Sequence, residues 1–319
     1  MDVALVTGAG GLLGTWLVPA LLTRGTAVVV LQRDGSTGVL PEGVTTVAGD
    51  VTDPAALDAA LAGRGVDTVF HLAAQSITGQ AIADPAGTYE TNVRGTWLVL
   101  DACRAHGVAR ALVASSDRVY GVAPGRGPLT EEAPLDARLP YDVSKAAADL
   151  IARAAGATPG LAVAALRTTN LYGGGDRNRS RLVPELAAAI IEDRPPVIHT
   201  DGSPARRHLH AGDAATAYLA VADVLATAPE TASGQAFNVA GDVLYTVREV
   251  AETALAGAGA ALTPDFRGAP VPPAAVDVLD IDSAKLRELT GWAPTVPLDE
   301  GLRRTVAWYR RHAESPARP

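Results

Sequence analysis

Residues 3–14 constrain this chain more than any other stretch of it. Val3-Ala4-Leu5-Val6-Thr7 is an apolar run of strand length, and it passes directly into Gly8-Ala9-Gly10-Gly11-Leu12-Leu13-Gly14, where a helical pattern begins. Closely spaced glycines between a strand and a helix let bare backbone approach a ligand. The helix N-terminus then aims unpaired N–H groups and a partial positive charge at it. The pattern predicts a pyrophosphate cradle in which Gly8, Gly11, Leu12 and Leu13 meet a dinucleotide. The spacing is GxxGxxG, not GxGxxG, so the strand-turn-helix context carries the inference more than the glycines alone.

Beyond the turn, apolar runs at Ala27–Leu31, Val44–Ala48, Asp67–Leu72, Ala109–Ser115 and Leu161–Arg167 read as strands. Helical periodicity fills the gaps at Leu12–Leu22, Ala55–Ala62, Thr88–Ala105 and Tyr141–Ala155. Continuous apolar strands joined by helices predict an α/β fold with a parallel sheet covered on both faces. Pro19 is expected to kink the first helix or to cost it stability. After Asn170 the rhythm breaks into Gly/Arg-rich and Pro-rich segments, with helices near Asp213–Leu225, Val247–Ala256 and Leu298–Arg310. The expected organisation is a dinucleotide-binding domain over 1–170, rejoined by about 208–242, with 171–207 and 243–319 forming a smaller C-terminal substrate-binding lobe.

The 319 residues suffice for a large core, and the net charge of -8 opposes sequence-independent binding to nucleic acid, which needs a basic face. Cys103 is the single cysteine, so no intrachain disulfide or cysteine metal site is expected, and its apolar helical surroundings read as core. His208 and His210 lack a third ligand at metal spacing. The first strand begins at Val3 and no apolar run spans a bilayer, so a cytoplasmic protein away from membranes is expected.

Tyr141-Asp142-Val143-Ser144-Lys145 places a phenol and an ammonium four residues apart on one helix face. A phenol of pKa about 10 is a poor base at neutral pH, and an adjacent cation favours its ionised form. Ser115-Ser116 ends a predicted strand and adds a hydroxyl to share the substrate oxygen's proton.

Together these segments resemble the extended short-chain dehydrogenases/reductases of the NAD-dependent epimerase/dehydratase family, which have a Rossmann doubly wound sheet. Thr7–Gly14 is similar to the family's TGxxGxxG, and Gly49–Asp53 to its GDxxD, in which Asp50 meets adenine with Val51 beside it. His71–Gln75 resembles the HLAA segment, placing Leu72, Ala73 and Ala74 at the cofactor and Gln75 toward substrate. Tyr89–Thr96 resembles the helix that contributes Asn92, Ser115–Gly121 the SSxxVYG turn, and Tyr141–Lys145 the catalytic pair. The resemblance also implies a homodimer formed through the helices at Thr88–Ala105 and Tyr141–Ala155.

By the same resemblance the substrate is a nucleotide-diphosphate sugar. Arg167–Gly173 is similar to an RxxNxYG segment whose Asn, here Asn170, contacts the diphosphate, and Arg207–His210 with Asp213 to an RxxxHxxD stretch whose Arg does so. Guanidinium donors suit phosphate oxygens. Arg118, Arg181 and Leu182 complete the expected substrate contacts. The implied chemistry begins with Tyr141 removing the C4 hydroxyl proton while the nicotinamide takes the C4 hydride, Ser116 and Lys145 steadying the oxygen. Return of hydride to the other face gives a 4-epimer; loss of water across C5 and C6 gives a 4-keto-6-deoxy sugar. In the family's dehydratases an Asp and then Glu or Lys follow the Ser/Thr as acid and base. Here Ser116-Asp117-Arg118 retains the Asp, and the wider text resembles the CDP-glucose 4,6-dehydratases. A guanidinium takes no proton at neutral pH, and a neighbouring cation is expected to hold Asp117 ionised, which ranks 4-epimerisation ahead of 4,6-dehydration. A cofactor-binding regulator without turnover is the other class, opposed by the intact Ser116, Tyr141 and Lys145.

The second predicted strand runs out at Gln32-Arg33-Asp34. NAD sites usually place an acid there for the ribose 2′-hydroxyl, whereas an Arg accommodates a 2′-phosphate. Gln32 occupies the acid position, Arg33 favours NADP, and Asp34 keeps NAD open.

Overall fold

The computed structural model describes residues 1–33, 40–121, 127–268 and 277–312; Asp34 lies outside them. A seven-stranded parallel sheet runs in the order Ala236–Val239, Ala162–Thr168, Arg110–Ser116, Thr68–His71, Val3–Thr7, Ala27–Gln32, Val44–Ala48. The chain lays its first strand centrally, builds outward through the next two, then crosses to the other side. That reversal between Val3–Thr7 and Thr68–His71 opens a crevice at the C-terminal strand ends, where ligands of such sheets bind.

Side-chain alternation divides the strands between two cores. Ala4, Val6, Val28, Val30, Phe70 and Leu166 pack under the Leu12–Thr23 and Ala211–Thr227 helices. Leu5, Val29, Leu31, Val69 and Val163 face the Pro54–Leu61, Gly95–Ala105 and Pro140–Gly156 helices. Cys103 is fully buried in the second core, where burial pushes its thiol up to about 12. A third core gathers Tyr172, Leu186, Val250, Leu255, Leu302 and Val306 beneath the C-terminal part of the chain.

The first helix continues through Pro19, which lies on its exposed side. One segment departs from expectation. The long helix foreseen over Thr88–Ala105 is interrupted: Pro85–Tyr89 leads into a π-helical turn at Glu90–Arg94 before Gly95–Ala105. Gly95 belongs there because a Cβ on it would lie 2.9 Å from Val51 Cγ2. Among the described residues no helix is long and apolar enough to cross a membrane.

Candidate functional site

Each glycine of the first turn answers a different contact. Gly8 has φ +72°, and a Cβ on it would stand 2.6 Å from the Ala73 amide nitrogen, so the turn presses against the end of the neighbouring strand. A Cβ on Gly14 would meet the Ala9 carbonyl oxygen at 2.4 Å. Gly11 is the N-cap of the Leu12–Thr23 helix, with no side-chain cap and no acid in the first turn, which leaves the N–H groups open to an anion. This turn floors a cleft of about 1240 Å³, whose lining includes Gly8, Gly11, Leu12 and Leu13, then Gln32, Arg33, Asp50 and Val51, and Leu72, Ala73 and Ala74.

At one end of the cleft Gln32 Oε1 is buried and has no hydrogen-bond partner. Arg33 is 74% exposed, with Nε 3.8 Å from Asp50. Asp50 Oδ1 accepts from both the amide and the hydroxyl of Thr52, at 2.9 and 2.8 Å, fixing the carboxylate at the strand tip.

Beneath the floor, donor bookkeeping fixes a hydrogen-bond direction. Thr96 Oγ1 gives its proton to the Asn92 carbonyl (2.6 Å) and so accepts from His71 Nε2 (3.1 Å). His71 Nδ1 then accepts from Thr7 Oγ1 (2.8 Å), which in turn accepts the Ala73 amide (3.3 Å). The imidazole is neutral, and burial, aided by the Lys145 charge, pulls its pKa down to about 3. Asn92 does not line the cleft as expected. Its Oδ1 accepts the Gln75 amide (2.7 Å), while Nδ2 donates to the Gln75 carbonyl (3.0 Å) and Ser144 Oγ (2.8 Å), so its polar atoms are spent holding Gln75 and the Tyr141 helix.

Ser116, Tyr141 and Lys145 all line the same cleft. Burial raises the Tyr141 phenol above its usual range, opposed first by a hydrogen bond to Ser116 and then by the charge of Arg181. The Lys145 ammonium donates to the Ala114 carbonyl; burial brings its pKa down to about 8, against the pull of Asp149. Beside the Lys145 cation expected from helix spacing, the Ser116 hydrogen bond and the Arg181 charge act on Tyr141.

The expectation for Asp117 also changes. Arg118 is tied to Asp142, Nε to Oδ1 at 3.0 Å and Nη2 to Oδ2 at 3.1 Å, and does not pair with Asp117. Asp117 is 2% exposed and accepts from Ser116 Oγ at 3.2 Å, while Thr169 Oγ1, 3.2 Å from its Oδ2, gives its proton to the nearer Arg207 carbonyl (2.5 Å). Burial raises its pKa despite the charges of Arg206 and Arg118. Desolvation wins over the neighbouring cations, and the carboxyl is suited to carry a proton.

On the lobe side, Gln75, Arg118, Asn170, Arg181 and Leu182 line the cleft, with Arg181 held by Asp176 (3.4 Å). Arg207 does not. It pairs with Asp280 and donates to the carbonyls of Gly241 (3.1 Å) and Asp242 (2.8 Å). Alternation along Ala205–His210 sends Arg206 the other way, where its charge acts on Asp117, Arg118 and Asp142. Counting back from His210 and Asp213 through RxxxHxxD also reaches Arg206, a register signal present in the sequence.

Thr168, Thr169, His208 and Tyr218 line the cleft too and were missed. His210 packs edge-on to Trp16 at 4.7 Å and caps the following helix through Nδ1, a core role. Among the described residues there is no cluster of three potential metal ligands.

Comparison with known proteins agrees with this architecture. Over residues 4–240 the chain matches the model of the NAD dependent epimerase/dehydratase family. It is 33% identical to a dTDP-glucose 4,6-dehydratase of Streptomyces griseus, covering 97% of this chain and 94% of that one. Its fold is similar to that of the UDP-glucose 4-epimerase of Thermotoga maritima, solved with UDP-glucose (TM-score 0.89, 25% identity, 98% and 100% of the chains covered). It is also similar to DesIV, a dTDP-glucose 4,6-dehydratase of Streptomyces venezuelae solved with NAD (TM-score 0.83, 31% identity, 97% of each chain). The chain belongs to the NAD dependent epimerase/dehydratase family.

Proposed function

We propose that this enzyme binds NAD in the cleft, oxidises a nucleotide-diphosphate sugar at C4 and expels water across C5 and C6. The observation that carries the dehydration is Asp117, a buried protonatable carboxyl beside Ser116, from which Arg118 is diverted by Asp142. The identity to dTDP-glucose 4,6-dehydratases supports the same outcome. 4-Epimerisation is the second reading, favoured by Arg118 itself, because a guanidinium takes no proton and epimerisation needs none taken at C5.

The residues present fit a dinucleotide: a steric cradle at Gly8, open N–H groups at Leu12, and an orphaned acceptor at Gln32. Gln32 Oε1 fits a ribose hydroxyl, which donates, better than a 2′-phosphate, which only accepts, so NAD is favoured over NADP. When bound, NAD supplies reversible acceptance of hydride. Tyr141 takes the C4 hydroxyl proton, Ser116 holds that oxygen, and Lys145 keeps a cation at the floor. Arg181, Leu182 and the neighbouring Asn170 line the cleft, which supports substrate binding by 171–207, with 243–319 completing that lobe. Trp97 and Leu150, 43% and 54% exposed on the Gly95–Ala105 and Pro140–Gly156 helices, support a homodimer through those faces.

The test is incubation of the holoenzyme with UDP-, dTDP- and CDP-glucose in deuterated water. The expected product is lighter by one water, with solvent deuterium at C5 and the former C4 hydrogen at C6. Unchanged mass without C5 label would overturn dehydration and leave the epimer.

A further inference from the structure

The elimination needs a base at C5, and position 118, which supplies Glu or Lys in the dehydratases this chain resembles, holds an Arg. Four carboxyl groups line the cleft among the described residues: Asp50, Asp84, Asp117 and Asp176. Asp50 is engaged by Thr52 beside Val51, Asp84 caps the Gly87 amide (2.9 Å), and Asp176 pairs with Arg181. Asp117 alone adjoins Ser116. His208 also lines the cleft, its Nδ1 donating to the Arg206 carbonyl (3.2 Å), and burial lowers its pKa to about 4, poor for abstraction from carbon.

Resting on the dehydration reading, we propose that Asp117 performs both proton transfers of the elimination, taking the C5 proton and delivering it to the leaving C6 oxygen, while Arg118, clamped by Asp142, supplies the fixed cation beside it. The 4-ketone acidifies C5–H. An Asp117 carboxylate oxygen takes that proton, and the C–H electron pair becomes the C4 enolate. The same proton then passes to O6, the enolate pair forms the C5–C6 double bond, the C6–O6 bond breaks and water leaves. Asp117 is again a carboxylate. Hydride from reduced NAD adds at C6 and a solvent proton at C5; the proton taken earlier by Tyr141 returns to solvent, which closes the balance. Loss and delivery on one side of the C5–C6 bond require only one group, and Thr169 Oγ1, 3.2 Å from Asp117 Oδ2, can accept from that carboxyl once it is protonated.

Asp117→Asn separates this from a two-residue mechanism. With UDP- or dTDP-glucose in deuterated water, the variant is expected to bind NAD normally and to accumulate reduced NAD by its near-ultraviolet absorbance. Water loss should fall at least ~100-fold, and the recovered sugar should carry no deuterium at C5. Deuterium entering C5 in that variant would show a second base and overturn the proposal. Loss of C5 exchange in His208→Asn would assign the base to His208 and equally overturn it. If the unsubstituted enzyme gives a product of unchanged mass, it is the dehydration reading that fails, a result distinct from either variant's.

Discussion

Arg118 and Asp142 meet through two parallel hydrogen bonds although Asp142 is only 2% exposed, so a full ion pair sits at the wall of the cleft, one residue after Tyr141 in sequence. Removing one member of such a pair leaves the other charged in a poorly solvated place. Asp142→Asn is expected to destabilise the protein by about 3 kcal/mol and to free Arg118 toward Asp117, lowering the latter's pKa. Denaturant unfolding should register the first effect. The second should appear as slower water loss at unchanged affinity for the nucleotide sugar.

The orphaned oxygen of Gln32 gives a cofactor test. Gln32→Leu is expected to weaken NAD binding ~10-fold, the worth of one hydrogen bond from a ribose hydroxyl, and to leave the already weaker NADP binding nearly unchanged. Arg33→Ala should alter NAD affinity little. A selective loss of NADP affinity in that variant would show that Arg33 reads a phosphate after all; titration calorimetry with both dinucleotides decides it.

His71 sets a pH dependence whose sign is fixed. Its folded pKa, about 3, lies below the unfolded value, so its contribution is fully present above about 6.5 and drains away as pH falls toward 3. The expected loss is on the order of a few kcal/mol across that window. Urea midpoints measured from pH 7 to 4 should fall less steeply in His71→Gln. Nitrogen-detected NMR should find the ring neutral with its proton on Nε2.

Arg206 and Arg207 should part company in kinetics. Arg206→Gln is expected to raise KM for the nucleotide sugar ~10-fold or more, through loss of a charge-assisted contact to phosphate. Arg207→Gln should lower the melting temperature, with KM changed much less, because its partners belong to the lobe. The reverse pattern would restore Arg207 to the substrate.

Trp97→Glu combined with Leu150→Arg should yield a monomer by light scattering, since both are exposed apolar side chains on the helices proposed to form the dimer. A dimer that survives both changes would place the interface elsewhere.

The central sheet was legible because its inner strands, buried on both faces, are written as near-continuous apolar runs, while the edge strand Val44–Ala48 is partly exposed and carries Thr45 and Thr46; the expected runs lie within a residue of the observed strands. The glycine turn was legible because sterics leave few alternatives at Gly8 and Gly14. The last strand, Ala236–Val239, is short and follows the Gly/Pro-rich segments, so its pairing with Ala162–Thr168 carried no local signal. The charge partners were the least readable part. That Arg118 would choose Asp142 over Asp117, and that Lys145 would reach the Ala114 carbonyl, depends on distances between elements that spacing along one helix does not contain.

The polar chain under the cleft floor runs one way: Ala73 amide to Thr7, Thr7 to His71, His71 to Thr96, Thr96 to the Asn92 carbonyl. Like a row of gears, no member can reverse without its neighbours. Valine has the shape of threonine but neither its proton nor its lone pairs, so Thr7→Val would strand an imidazole nitrogen and an amide together, and the disturbance would surface in the π-helical turn, four links along the chain from the Ala73 amide.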